Sequence, residues 1–502
     1  TERRAGRYPK ARQAIDAAQE VLTGVDYEPV HAEHALEHSR VLDGVGEHDA
    51  ALATVTKAVE FAALSRQWEL LRQALAKRMF IIGVKQHRPE QALHDWPLVL
   101  ALAGSDPGRR AAARSQRSSI LRVQGKYAEA EQELRAALAV QVETPQVHPM
   151  SVADTRNRLG AVLQLAGRPA EAETELRAGL ELVSQSLEPD HLHVLTIRNN
   201  LGNVLHSQGK YEQALVQHRA SVDSEGRVLG VDNPRTARAR VNLGGTLISL
   251  HRYEEAEVEL NSALTALEEA YGADYPGLGL VHSKLAHLEA MQGRYTEALT
   301  HGRAAVDITE KAHGPRHPTV GARRGNLGSI FHQQGRLDEA EVELRAALSV
   351  TLEALGLEHP GAAEIRVELA AVLMKRDDYQ QVAEESRIAL AHLSADTDPE
   401  VLFTAQRLRA ESLLALGQEQ EAVTFTQEVW DGRQDDEPPQ LLGARAFLLS
   451  RVLWNVEEPA RDRHRARTLA QAALGYYQTA GDEFEDQIRE IEQWSSTVAA
   501  NR

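Results

Sequence analysis

Leu201-Gly202-Asn203-Val204-Leu205-His206-Ser207-Gln208-Gly209-Lys210-Tyr211-Glu212-Gln213-Ala214 reads as the end of one helix, a turn, and the start of the next. Gly202 sits inside the first helix, where its propensity is poor. It is expected to let a partner helix approach closely. Gly209 is expected to end that helix in a left-handed C-cap. Tyr211 and Ala214 are three residues apart, on one face of the second helix.

The same turn recurs along the chain. Gly125-Lys126-Tyr127, Gly167-Arg168-Pro169, Gly209-Lys210-Tyr211, His251-Arg252-Tyr253, Gly293-Arg294-Tyr295, Gly335-Arg336-Leu337 and Asp377-Asp378-Tyr379 follow one another at steps of 42 residues, six times running. A fixed period of this length marks a stack of like units. Leu-Gly precedes the turn at Leu159-Gly160, Leu243-Gly244 and Leu327-Gly328 as well. Tyr253 with Ala256 and Tyr295 with Ala298 repeat the second-helix pattern. A further small residue follows at Ser221, Ala263, Ala305, Ala347 and Ala389.

These Leu-Gly, Tyr and Ala positions resemble the tetratricopeptide repeat across residues 151–390. The 42-residue length and the loops Gly230-Val231-Asp232-Asn233-Pro234, Gly314-Pro315-Arg316-His317-Pro318 and Gly356-Leu357-Glu358-His359-Pro360 are similar to the kinesin-light-chain subclass. Each loop Pro is expected to close one helix and open the next. The resemblance implies an all-α fold, a right-handed α-solenoid (superhelix) of about twelve helix-turn-helix units. We read 1–120 as degenerate repeats, 121–390 as the regular array, 391–460 as degenerate again and 461–502 as capping helices. Upstream turns are expected near Gly6, Gly46 and Gln86, and one downstream at Gly417. Ile488, Ile491 and Trp494 are expected to cover the terminal apolar end. Trp68 and Trp96 are read as core.

The order of degenerate then regular repeats, with the tail Arg465-Ala466-Arg467-Thr468-Leu469-Ala470 leading to Ile488-Arg489-Glu490-Ile491-Glu492-Gln493-Trp494, resembles the C-terminal region of large bacterial serine/threonine protein kinases. The chain itself carries no Gly-rich phosphate loop, His-Arg-Asp or Asp-Phe-Gly. It does not begin with Met and opens directly into a second-helix pattern, so we expect a piece of a longer protein. Signal-transduction ATPases of the STAND type also end in such repeats and remain an alternative parent.

Composition excludes several classes. A formal charge of −17 argues against nucleic acid as partner. The absence of Cys removes thiol chemistry and cysteine-ligated zinc. No signal peptide and no apolar run near the ~20 residues of a membrane helix are present. A soluble, cytoplasmic protein without membrane contact or cofactor is therefore expected. Gly202 through Gly209-Lys210 is two residues too long for a phosphate loop, and Tyr211 stands where Ser or Thr would hold magnesium. His191 and His193 lack the accompanying metal-site spacing and are read as loop residues with a capping or packing role. An enzyme within 1–120 is the weakest alternative.

The expected role is to bind a protein or peptide, with no catalytic residues. In stacked hairpins the first helices line the concave face. The five first helices within 151–334 carry Arg156, Arg158, Arg198, Arg235, Arg238, Arg240, Lys284, Arg323 and Arg324 against only Asp154 and Glu289. Second helices are rich in Glu, as at Glu254, Glu255, Glu257 and Glu259. An acidic or phosphorylated extended peptide is therefore expected in the groove. Asn199, Asn200, Asn203, Asn242 and Asn326, with His206, would hold its backbone, since an amide both donates and accepts. Arg158, Arg238, Lys284 and Arg323 would meet its charge. The chaperone-binding branch of the family uses a comparable set to clamp a terminal carboxylate. Asn203, Asn242 and Lys284 fit that set, whereas Asn199 and Leu280 depart from it, so chaperone-tail binding is not implied. A structural alternative has the arginines paired with acidic neighbours and the asparagines serving the repeat itself.

Overall fold

A computed structural model describes residues 8–86, 88–144, 147–393, 399–433, 437–457, 460–481 and 484–500. Every element among them is helical. The chain divides into two compact units, 1–323 and 324–502.

The first unit holds α1 (Tyr8–Leu22), α2 (Glu28–Gly44), α3 (His48–Leu64) and α4 (Trp68–Phe80), which runs into a π-helical turn at Ile81–Lys85. Short helices α5 (Pro89–Leu93) and α6 (Trp96–Ala103) follow. Regular hairpins then succeed one another: α7 (Pro107–Val123) with α8 (Tyr127–Val142), α9 (Pro149–Leu165) with α10 (Pro169–Ser184), α11 (Leu192–Ser207) with α12 (Tyr211–Leu229), α13 (Pro234–Ser249) with α14 (Tyr253–Tyr271), and α15 (Leu278–Met291) with α16 (Tyr295–His313). The unit ends within α17 (Pro318–Gln333). The second unit contains the rest of α17, then α18 (Leu337–Leu355), α19 (Pro360–Met374), α20 (Tyr379–His392), α21 (Pro399–Ala415), α22 (Glu419–Asp431), α23 (Pro439–Asn455), α24 (Arg463–Ala480) and α25 (Glu485–Ala500). Each unit is an all-α solenoid in which a hairpin packs on its neighbours in sequence.

Local chemistry explains the period. At the central turn, Lys210 N–H donates to Leu205 C=O at 2.9 Å and Gly209 N–H to His206 C=O at 3.0 Å, the paired closure of a left-handed helix end. Gly125, Gly167, Gly209, Gly293 and Gly335 all have φ between 72° and 79°. His251 and Asp377 adopt φ of 55° and 58° without being glycine. Each is held by a hydrogen bond to the Tyr two residues on: His251 Nδ1 with Tyr253 Oη at 2.7 Å, and Tyr379 Oη donating to Asp377 Oδ1 at 2.5 Å. Pro149, Pro234, Pro318 and Pro360 open first helices as expected.

The Leu-Gly pairs are contact points between the helices of one hairpin. A Cβ on Gly160, Gly244 or Gly328 would lie 2.6–2.7 Å from Cγ of Leu176, Leu260 or Leu344. Leu176, Leu260 and Leu344 are fully buried. At Gly202 the opposing side chain is His218 rather than Leu, and it is buried too.

Upstream of α7 the repeat degrades. Gly46 keeps a left-handed turn at φ 87°, but Gln86 does not, with φ −98° after the π-helical turn. Pro89 and Pro97 break the following segment into two short helices. The expected anchor at Gly6 lies outside the described residues. Trp96 packs against the local core with Arg117 over its ring at 5.4 Å. Trp68, expected in the core, is 56% exposed at the start of α4. The reason is positional: it occupies the place of the turn Tyr, at the hairpin edge. In the second unit Gly417 forms its left-handed turn, and Ile491 is buried with Ile488 and Trp494 packed beside it.

Candidate functional site: the wall of first helices

In the first unit, neighbouring first helices are tied side by side. Arg158 Nη1 donates to Ser119 Oγ at 2.9 Å, reaching from α9 to α7. Asn200 Nδ2 donates to Asn157 Oδ1 at 2.8 Å, and Asn242 Nδ2 to Asn199 Oδ1 at 3.1 Å, which makes an amide ladder across α9, α11 and α13. His206 Nε2 hydrogen-bonds Ser249 Oγ at 3.0 Å. Asn200 and Asn242 each keep Oδ1 without a partner among the described residues. Second helices form a wall of their own through ion pairs, as Arg135–Glu171 at 3.3 Å, Lys210–Glu173 at 2.8 Å and Arg219–Glu255 at 2.6 Å.

The positive balance summed over first helices is cancelled in part by pairing in space. Arg114, Arg156 and Arg240 each bridge to the Glu 19 residues later, Glu133, Glu175 and Glu259, at 2.8, 2.5 and 3.0 Å. In the second unit Arg324–Glu343 and Arg366–Glu385 repeat the clasp. It joins the two helices of one hairpin. Arg235 pairs with the buried Glu225 at 2.7 Å. Arg238 Nη2 donates to Tyr275 Oη at 2.7 Å. The structural alternative thus holds for Arg156, Arg235, Arg240 and Arg324, four of the eight arginines named. Of the nine bases named above, Arg198, Lys284 and Arg323 have no hydrogen-bond or ion-pair partner among the described residues. Asn326 belongs to the second unit.

Lys284 and Arg323 define the feature that remains. Lys284 lies along α13, with Cε and Nζ both 3.3 Å from where a Cβ on Gly245 would be. Burial lowers its pKa, and the charge of Arg323 adds to the effect. Burial likewise lowers that of Arg323, whose Nε is enclosed without a partner. His206 is pushed down to about 4 by burial and then by Lys284. His287 is lowered by the same two causes, although its side chain is open to solvent. Behind them lies His218, 1% exposed, with Nε2 3.2 Å from Asn203 Oδ1 and Nδ1 2.9 Å from Thr246 Oγ1. Its pKa is also lowered to about 4, by burial first. Asn203 is therefore engaged with His218.

The loop histidines are helix caps. Nδ1 of His148, His191, His317 and His359 accepts the backbone N–H two residues on, at 3.1–3.3 Å. His193 pairs with Asp154 at 3.1 Å. Among the described residues no group of three or more His, Asp or Glu is arranged to hold a metal ion. No described helix is long and apolar enough to cross a membrane.

A family model described as Tetratricopeptide repeat matches residues 151–224, 235–311 and 278–353. No curated protein matches the chain in sequence. Among solved structures, a Rap protein complexed with Competence and Sporulation Factor is similar at 15% identity and TM-score 0.51, covering 76% of this chain and 99% of that one. A STAND protein with a tetratricopeptide repeat sensor, from Pyrococcus horikoshii, is similar at 15% identity and TM-score 0.50, covering 89% of this chain and 74% of that one. A kinesin light chain with nearly identical TPR-like repeats, from Podosopora anserina, matches at 18% identity and TM-score 0.34, covering 41% of this chain and 97% of that one. The family match agrees with the hairpin geometry over residues 151–224 and 235–353, which are similar to tetratricopeptide repeats.

Proposed function

We propose that this chain is a non-catalytic scaffold that holds an extended acidic or phosphorylated polypeptide on its first-helix wall, as the sensor or docking region of a serine/threonine protein kinase. One observation carries the reading. Where most other cations of that wall are neutralised, Lys284 and Arg323 are desolvated and unpaired. Two such charges are a net cost to the fold. They become favourable when an anionic group arrives, and a charge-assisted contact to a half-buried cation is stronger than one at an open surface. The free Oδ1 atoms of Asn200 and Asn242 stand where they can accept from a ligand's backbone N–H.

Peptide libraries of acidic, phosphorylated and basic composition, titrated against the chain, test this. Preferential capture of basic peptides ends the proposal. The regulatory arm of a STAND ATPase is the second reading, supported by the likeness over 89% of this chain to a protein with such a sensor. Sequence upstream of Thr1 separates the two: kinase motifs favour the first, a Walker motif the second.

A further inference from the structure

Independently of any peptide, we propose that His282 and His301 bind a late first-row divalent metal ion, such as Zn2+ or Ni2+, which clamps α15 to α16. The Arg–Glu clasp recurs in step along the chain. It joins Arg114 to Glu133, Arg156 to Glu175 and Arg240 to Glu259 in the first unit, and Arg324 to Glu343 and Arg366 to Glu385 in the second, always 19 residues apart. His282 and His301 stand at the same pair of positions, each 42 residues beyond Arg240 and Glu259. Two imidazoles there replace a guanidinium and a carboxylate. Nδ1 of His282 lies 3.1 Å from Nδ1 of His301, with ring centroids 5.0 Å apart. Both side chains are half-buried, so an ion and its water can reach them.

Imidazole nitrogens suit Zn2+, Ni2+ and Cu2+. At a metal–nitrogen distance of about 2.0–2.1 Å, two nitrogens 3.1 Å apart subtend about 100° at the ion, between the square-planar and tetrahedral angles. A modest rotation about χ2, a soft torsion in His, turns both lone pairs onto one ion. The protein supplies two ligands and water completes the shell. A buried carboxyl group points the same way. Glu289, also on α15, is 7% exposed, and its Oε2 has no hydrogen-bond partner among the described residues. Its Oε1 lies 3.9 Å from Nε2 of His301. Arg294, on the following turn, is engaged by Glu257 at 3.1 Å. Burying a carboxyl group in this way is a cost to the fold. An ion on Nδ1 of His301 leaves the ring proton on Nε2, towards Glu289, and brings the counter-charge that the carboxylate lacks. Such a carboxylate–histidine–metal chain fixes the ring and makes it a stronger ligand.

The test uses the full chain, with Zn2+ and Ni2+ in separate titrations read by calorimetry and by amide exchange. At a free-ion concentration about 100 times Kd, exchange in α15 and α16 should slow by up to about 100-fold. Exchange in α9 and α10, clasped by Arg156 and Glu175, should not change. The control is His282→Arg/His301→Glu, which gives this hairpin the ion pair of its neighbours and so keeps the fold. Without metal its α15 and α16 should be protected at least as well as in the parent chain, and the metal response of both helices should vanish. Glu289→Gln should weaken ion binding about 10-fold or more, and an unchanged affinity overturns the role given to Glu289. The chain holds 21 histidines, so weak binding elsewhere forms a background. A response of α15 and α16 that persists in the double variant, or binding that leaves these helices unprotected, means an adventitious ion only and overturns the proposal. Absence of binding up to about 1 mM of either ion overturns it as well.

Discussion

Gly244 and Gly245 are neighbours on α13, yet replacing each by Ala should have opposite consequences. A Cβ on Gly244 would sit 2.7 Å from Cγ of Leu260 and 2.8 Å from its Cδ2. Relaxed carbon contacts need about 3.5–4.0 Å, so something must move by roughly 1 Å. Leu260 is 0% exposed and cannot swing into solvent. Overpacking of this kind costs about 1–3 kcal/mol, and Ala returns up to ~1 kcal/mol of helix propensity. The net expectation is a loss of roughly 1–2 kcal/mol. At Gly245 the new Cβ meets only the flexible end of Lys284, at 3.3 Å. There the propensity gain prevails, and the variant should be neutral or up to ~1 kcal/mol more stable. Repeat arrays open piecewise, so amide exchange across α13 and α14 is a better reading than one global midpoint. Gly244→Ala should lose protection in both helices and Gly245→Ala should not. Equal protection in the two variants would refute the close-contact reasoning.

His218 occupies the position filled by Leu176, Leu260 and Leu344 in other hairpins, so His218→Leu should stabilise the hairpin α11–α12 and flatten its acid sensitivity. Buried neutral His206 and His218 have folded pKa values below the unfolded one, so their contribution is complete above ~6.5 and lost as the pH falls towards 4; by pH 5.5 each removes about 1 kcal/mol. Glu289, raised to about 7 by burial, acts in the opposite sense, favouring the fold below its unfolded pKa of ~4.5 and losing that advantage as the pH rises through 7. Urea midpoints at pH 7.5 and 5.5 should show a net loss on acidification for the parent chain and a smaller one for the variant. In the second unit, Arg366→Gln strands Glu385, whose side chain is 16% exposed, and should cost about 2–4 kcal/mol of local stability. Arg12→Gln removes the exposed pair with Glu47 and should cost under ~1 kcal/mol by the same exchange measurement.

The fold was legible because its determinants are local. A left-handed glycine, a Leu-Gly pair and a loop proline each act within a few residues, and repetition at a step of 42 made them conspicuous. The site was less so. Summing charges along first helices treats Arg156, Arg240 and Arg324 as free, but each meets a Glu 19 residues later on the facing helix. That pairing was written in the sequence as an Arg and a Glu recurring in step, and a search across the hairpin would have found it. Lys284 stood out as a base only once its neighbours had found partners. His218 in a leucine position was also readable from the period. The π-helical turn and the exposure of Trp68 were not, since they arise where Pro89 and Pro97 interrupt the pattern and no repeat supplies a template.

The central claim is that Lys284 and Arg323 receive an anion of the bound polypeptide. Equilibrium binding of an acidic peptide captured from the library should weaken ~10-fold or more in Lys284→Gln/Arg323→Gln, as expected for removal of one charge-assisted hydrogen bond. Arg156→Gln, which removes a base already spent on Glu175, should leave affinity within about twofold once folding is matched. A double variant that binds as tightly as the parent chain would contradict the account.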